Sequence, residues 1–260
     1  TRLEAGLYGT IERGTWNAKV YNYNSERGIP GAIVNNVWRR GERVWDTNSF
    51  FQGSFVKEVN DQFKTQVNAK YAFYRTHYVN NDDKLIEVDN LYKQREVYVS
   101  TANMYTIFPF WDVSMSYDFQ WNEMKADMYG FVFPTRFTNL LSIATALRLG
   151  KVKLQGSGLA TFVNDRVKEG PAPKARQILT PAVFLSYKPF DKHDFSLRAF
   201  YKKTFRMPTF NDLYYADMGN SKLDPEYVTQ YNLGTVYQKQ WGNKLFRHFK
   251  IQADGYYNYV

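Results

Sequence analysis

From Trp111 to Asn122 the chain alternates without a break between greasy and polar residues. This pattern restricts the possible fold more than any other feature. Odd positions carry Trp111, Val113, Met115, Tyr117, Phe119 and Trp121; even positions carry Asp112, Ser114, Ser116, Asp118, Gln120 and Asn122. Successive side chains of a β-strand point to opposite faces, so this stretch makes one face apolar and leaves the other polar. A helix would spread the same residues around its circumference.

The pattern recurs. Phe63, Thr65, Val67, Ala69, Tyr71 and Phe73 alternate with Lys64, Gln66, Asn68, Lys70, Ala72 and Tyr74. Tyr227, Thr229, Tyr231, Leu233, Thr235 and Tyr237 alternate with Val228, Gln230, Asn232, Gly234, Val236 and Gln238. Weaker versions run over 195–202 and 249–254. Helical periodicity is nearly absent, which predicts an all-β chain of about 12 strands. They are expected near 4–12, 15–24, 49–59, 62–78, 93–107, 111–122, 137–149, 151–163, 177–188, 193–204, 227–239 and 248–260.

The connections between these strands alternate in length. Short ones fall at Arg13-Gly14, Asn60-Asp61, Phe108 to Phe110, Gly150, Pro189 to Lys192 and Gln240 to Arg247. Long ones span 25–48, 79–92, 123–136, 164–176 and 205–226. In an up-and-down meander every second connection lies on the same rim, so one rim is tight and the other carries large loops. Outer-membrane barrels have this asymmetry, together with aromatic girdles like the Trp pair that ends the 111–122 stretch. A soluble β-sandwich also alternates, but its strands run about 5–6 residues. Many strands here are long enough to cross a bilayer at a tilt, about 9 residues or more. The sequence therefore predicts an antiparallel up-and-down transmembrane β-barrel.

Composition excludes other classes. Hydrophobic residues make up 44% and aromatic residues 18% of 260, too many for a disordered chain. There is no Cys, which removes disulfide scaffolds and Cys-based zinc sites. No apolar run approaches the roughly 18 residues that a spanning helix needs.

From Asp194 to Tyr237 the chain reads DFSLRAFYKKTFRMPTFNDLYYADMGNSKLDPEYVTQYNLGTVY. This resembles the barrel segment of TonB-dependent outer-membrane receptors. Phe205, Arg206, Pro208 and Thr209 fit the family's aromatic-Arg-x-Pro-Thr box. Leu213 and Tyr214 fit its continuation, and Asn220, Leu223, Pro225 and Glu226 fit a second box that opens the next strand. Proline cannot donate to a ladder, so Pro208 and Pro225 are expected where pairing stops and restarts. Arg206 is expected to make ion pairs within the connection. The resemblance implies a 22-stranded barrel in the outer membrane of a Gram-negative bacterium, of which this chain would supply part. It also implies an N-terminal plug and a periplasmic TonB partner, neither of which is recognisable in these residues. The competing expectation is a self-contained small barrel acting as a passive pore or an adhesion or structural module. Receptors for haem in this family typically place a His between the two boxes. None stands in Asn211 to Gly219, so the resemblance favours an iron-siderophore or cobalamin-like small molecule as ligand.

Catalytic signatures are thin. His77, His193 and His248 belong to no spaced metal pair, no G-x-S-x-G elbow occurs, and no phosphate loop is present. The chain is expected to be non-enzymatic, without cofactor or metal. Asn80, Asn81, Asp82 and Asp83 carry hard oxygens that could ligate calcium, although a plain exposed turn reads the same. Trp38, Arg39, Arg40, Arg43 and Trp45 form the densest Arg and Trp cluster, the residue types that grip ligands and partners. With Tyr214 and Tyr215 they are the expected substrate-binding surface; contact with lipopolysaccharide would look the same. Lys64, Lys70, Arg148, Lys151, Lys153, Arg198, Lys202 and Lys250 are expected to point into the lumen. There they could attract an anionic ligand, or pair with a plug or with Asp112, Asp118 and Asp254. Aromatics on one face and lysines on the other cannot share a stacking platform, which argues against nucleic acid. The remaining expected partners are outer-membrane lipid and lipopolysaccharide.

Overall fold

The computed structural model describes residues 1–29, 33–34, 37–38, 42–81, 87–170, 172–214, 220, 222–240 and 248–260. Strand follows strand: β1 (Arg2–Ile11), β2 (Gly14–Ile29), β3 (Ile33–Val34), β4 (Val37–Trp38), β5 (Glu42–Glu58), β6 (Phe63–Asn80), β7 (Val88–Phe108) and β8 (Trp111–Ala126). Then come β9 (Thr135–Leu149), β10 (Val152–Arg166), β11 (Arg176–Tyr187), β12 (Asp194–Arg206), the short helix α1 (Phe210–Tyr214), β13 (Glu226–Gln240) and β14 (His248–Tyr259). Twelve of the strands form one sheet in the order β1-β2-β5-β6-β7-β8-β9-β10-β11-β12-β13-β14, and β3 pairs only with β4. Every neighbouring pair is antiparallel. This is a pure meander with two open edges, β1 and β14.

Each of the twelve expected strands is present. The difference lies at the long-connection rim, where the ladder continues past the expected ends. β2 runs to Ile29, β5 begins at Glu42, β7 begins at Val88 and β8 runs to Ala126. Beyond the apolar band both faces become polar, so alternation fades while backbone pairing goes on. The expected loop 25–48 therefore shrinks to 30–41, and Arg43 and Trp45 stand on a strand.

The opposite rim is tight. Residues 12–13 join β1 to β2, 109–110 join β7 to β8, and 150–151 join β9 to β10. Gly150 adopts the left-handed region at φ 56°, where a glycine meets no Cβ penalty. Arg13 takes a similar conformation at φ 54°.

Register keeps the two faces separate across the sheet. Phe51 pairs with Tyr71, Tyr71 with Val97, Val97 with Trp121, and Trp121 with Phe137. On the other face Asn68 pairs with Ser100 and Ser100 with Asp118. The greasy face is bare: Leu233 is 68% exposed and Leu179 65%. A water-soluble sandwich would cover such side chains with a second layer. Among the described residues the clustered core is instead small. It comprises Tyr92, Met124, Ala126, Phe131 and Phe210, with Met128, Phe133 and Tyr214 packed against it, all at the long-connection rim.

Candidate functional site

The polar face carries its charges in pairs. Lys70 donates to Glu96 at 2.9 Å and Arg148 to Asp112; Arg198 lies 3.5 Å from Asp254, and Lys64 lies 3.5 Å from Glu58. Lys151, in a tight turn, pairs with Asp191 at 2.8 Å. Lys64, Lys70, Arg148, Lys151 and Arg198, among the cations expected on the lumen side, thus have carboxylate partners.

The most constructed part of this face lies where the connection after β12 folds back over β9 and β10. Register sets Arg136 opposite Asp165, and their side chains close a bidentate pair at 2.7 and 2.6 Å. Asp165 is buried and Arg136 mostly so, with side-chain exposures of 3% and 11%. The remaining guanidinium nitrogen donates to the Pro208 carbonyl at 2.7 Å, and the same guanidinium lies 5.2 Å from the Phe210 ring centre. A planar fork of fixed donors suits this triple duty, which a lysine could not perform.

Helix α1 owes its existence to the motif itself. The Thr209 amide donates to Asp212 at 2.8 Å, while the Asp212 amide donates to the Thr209 hydroxyl at 3.2 Å. This reciprocal cap satisfies amides that the helix leaves without partners. The Thr209 bonds, followed by the Arg206 charge, hold the Asp212 carboxyl below the ordinary aspartate range. Arg206 reaches Asp212 at 3.4 Å and Glu226 at 3.7 Å, the within-connection ion pairs its position suggested. β12 stops at Arg206, two residues before Pro208, and β13 starts at Glu226, directly after Pro225. The Asn220 side chain accepts from the Lys222 amide at 3.0 Å, and the Leu223 amide donates to the Asn220 carbonyl at 3.2 Å. Leu213 is buried, and Phe205 lines the groove described next.

Between α1 and the sheet lies an open groove of about 410 Å³. Gln94, Glu96, Gln120, Asn122, Thr138 and Thr161 supply its polar lining, with Phe205 and Phe210 at one side. Thr161 is 2% exposed, and its hydroxyl has no hydrogen-bond partner among the described residues; nor has the Tyr214 hydroxyl. Burial, then the nearby Asp165 carboxylate, pushes the Tyr214 phenol up to about 12. It stays a neutral donor. Side-chain amides and hydroxyls in such a cleft can grip a polar, oxygen-rich small molecule without demanding a net charge.

Of the expected site residues, those whose side chains are described do not share one face. Tyr214 packs its ring against Phe210, near the Arg136–Asp165 pair. Arg43 faces the opposite, outward side and pairs with Glu26, and Trp45 stacks on His77 there at 5.2 Å. Trp38 belongs to β4, and its side chain, with all of Arg39, Arg40 and Tyr215, lies outside the described residues. Asn80 is buried and Asn81 exposed, whereas Asp82 and Asp83 fall outside the description. Among the described residues no three His, Cys, Asp or Glu side chains gather as a metal site. His77 pairs with Asp89 at 2.6 Å, His193 meets the Phe190 ring edge-on, and His248 is exposed. Arg136 and Asp165 were missed by sequence reasoning. The signal was present as opposite charges one and two positions beyond the expected ends of adjacent strands.

The family model for the TonB dependent receptor-like β-barrel matches residues 2–260. No curated protein matches the sequence. Among solved structures, the copper transporter OprC superposes with a TM-score of 0.74 at 14% identity, over 99% of this chain and 44% of its own. The FrpB iron transporter of Neisseria meningitidis gives 0.73 at 12% identity, with the same coverage of 99% and 44%. The ferric citrate transporter FecA, in its unliganded form, gives 0.64 at 12% identity over 99% of this chain and 47% of its own. The chain thus spans less than half the length of these structures, and at such identities the likeness establishes the fold alone. The match of the family model along nearly the whole sequence, on a meander with one bare apolar face, places the chain in the TonB-dependent receptor-like β-barrel family.

Proposed function

We propose that this chain supplies barrel wall and rim connections to an outer-membrane receptor that takes up an iron-siderophore or cobalamin-like ligand in a Gram-negative bacterium. The observation that carries the proposal is the family match over residues 2–260 on a sheet whose apolar face is bare. The polar face, with its amide-lined groove under α1, is the ligand side. Solved relatives named for copper, iron and ferric citrate transport set the range of cargo to test. The absence of His between the two motif boxes, read with the family pattern, favours a chelate over haem. Energy coupling falls to a plug and a TonB partner acting on the full-length protein; the barrel itself performs no bond chemistry.

Deleting the gene of the full-length protein tests this reading. Uptake of radiolabelled iron-siderophores, cobalamin, haem and copper is measured in deletion and parent strains, with and without an uncoupler. Loss of energised uptake for a siderophore or cobalamin is the expected result. Unchanged uptake of every compound rejects a transport role, and loss of haem or copper uptake alone rejects the assigned ligand class.

A further inference from the structure

The outward face holds a patch of cations that the proposed transport role does not use. Register puts Arg75 opposite Lys93 and Lys93 opposite Lys125, one row across β6, β7 and β8. Arg95 stands one same-face step below, opposite both Phe73 and Glu123. All four cations are exposed. Directly opposed like charges weaken a sheet, so this arrangement costs stability unless an anion joins it.

Among the described residues, other outward strand cations at this rim are matched. Arg43 pairs with Glu26 and His77 with Asp89, while Arg166 lies over the Phe137 ring and Lys203 over the Tyr227 ring. Within the patch Glu123 is the one carboxylate of the neighbouring row, and it lies 3.3 Å from Lys125. Arg75, Lys93 and Arg95 have no carboxylate or ring partner among the described residues. The imbalance is local, which argues against a general surface charge.

Depth identifies the partner. The next same-face row below Arg95 is Tyr71, Val97, Trp121 and Phe137, an aromatic row at the top of the apolar band. A strand rises about 3.3 Å per residue. Arg95 therefore stands roughly 7 Å along the strand above that row, and Arg75 and Lys93 roughly 13 Å above it. This is the headgroup layer of a bilayer whose hydrocarbon ends at the aromatic row. Arginine recognises phosphate bidentately, and lysine adds a point charge beside it.

We infer that Arg75, Lys93 and Arg95 bind the phosphate groups of a phosphorylated glycolipid in the outer leaflet, with Tyr71 and Trp121 against its acyl chains. The inference rests on the membrane reading above, in which the greasy face touches lipid. Lipid is the source of the phosphate because the anion would sit directly over the apolar band.

The test uses the full-length protein purified in detergent, with bound lipid A counted by native mass spectrometry and affinity measured by titration. Doubly phosphorylated lipid A is expected to bind about tenfold or more tightly than its dephosphorylated form, the effect of one lost charge-assisted hydrogen bond. The variant Arg75→Gln, Lys93→Gln, Arg95→Gln is expected to lose that preference, whereas Lys57→Gln at the tight rim keeps it. Folding of each variant is checked by heat-modifiable gel mobility, and the wild-type comparison stands without any variant. Equal binding of the two lipids overturns the inference while leaving the membrane reading intact; no lipid binding at all overturns both. Inorganic phosphate that binds as tightly as the lipid makes this a free-anion site and also overturns it.

Discussion

At the scale of single residues, Arg136 shows how a strand end becomes a latch. Its pairing with Asp165 was hidden in the sequence, because a contact between residues 29 positions apart depends on register. Periodicity does not encode register to the residue. Arg206 was legible, since its partners Asp212 and Glu226 lie within its own connection. Breaking a buried ion pair by removing one partner costs on the order of 3 kcal/mol, because the other charge stays buried and uncompensated. Asp165→Ala should therefore release the guanidinium from the Pro208 carbonyl and loosen α1 above it. Hydrogen exchange in the full-length protein reads this at the Leu213 amide, which donates to the Thr209 carbonyl at 3.1 Å. A speed-up of about a hundredfold is expected. Unchanged exchange there would mean that α1 is held by its own packing.

At the scale of elements, the strands were legible because lipid-facing positions must be apolar along the whole crossing, as Trp111 to Trp121 show. Their extensions were not. Above the band, Arg75 and His77 face outward while Thr76 and Tyr78 face inward, so neither side is marked by hydrophobicity. Helix α1 is too short for periodicity, and its evidence is the Thr209–Asp212 cap rather than an apolar stripe. Removing such a cap costs about 1 kcal/mol, so Thr209→Val should fray α1 and raise exchange at the Asp212 and Leu213 amides without disturbing β12 or β13. Asp212 supplies the pH arm of the same experiment. Its folded carboxyl titrates below the ordinary aspartate value of 3.8. The cap is therefore fully formed above that value and is lost as pH falls through the depressed one. Fraying that set in only on the alkaline side would contradict this account.

At the scale of the whole molecule, one physical division organises everything else: odd and even positions of each strand live in different solvents. The polar side gathers ion pairs, the groove and α1; the other side offers Leu179 and Leu233 to whatever surrounds the sheet. In a membrane those side chains meet acyl chains, and in water they would drive association. These 260 residues hold no cysteine, so the division is directly measurable with single introduced thiols once any cysteine elsewhere in the full-length protein has been replaced. Val99 and Ser100 are neighbours on β7 with opposite orientations: Val99 is 43% exposed on the greasy face, and Ser100 bonds to Asn68 on the polar face. In cells carrying the full-length protein, Val99→Cys should react with a lipid-soluble maleimide and resist a charged, water-soluble one. Its neighbour Ser100→Cys should resist the lipid-soluble reagent. Leu179→Cys and Thr180→Cys repeat the comparison on β11, far along the sheet. Labelling of Val99→Cys and Leu179→Cys by the water-soluble reagent would place the apolar face in water. The division would then belong to a sheet awaiting a protein partner, and both the barrel wall and the lipid phosphate site would fall with it.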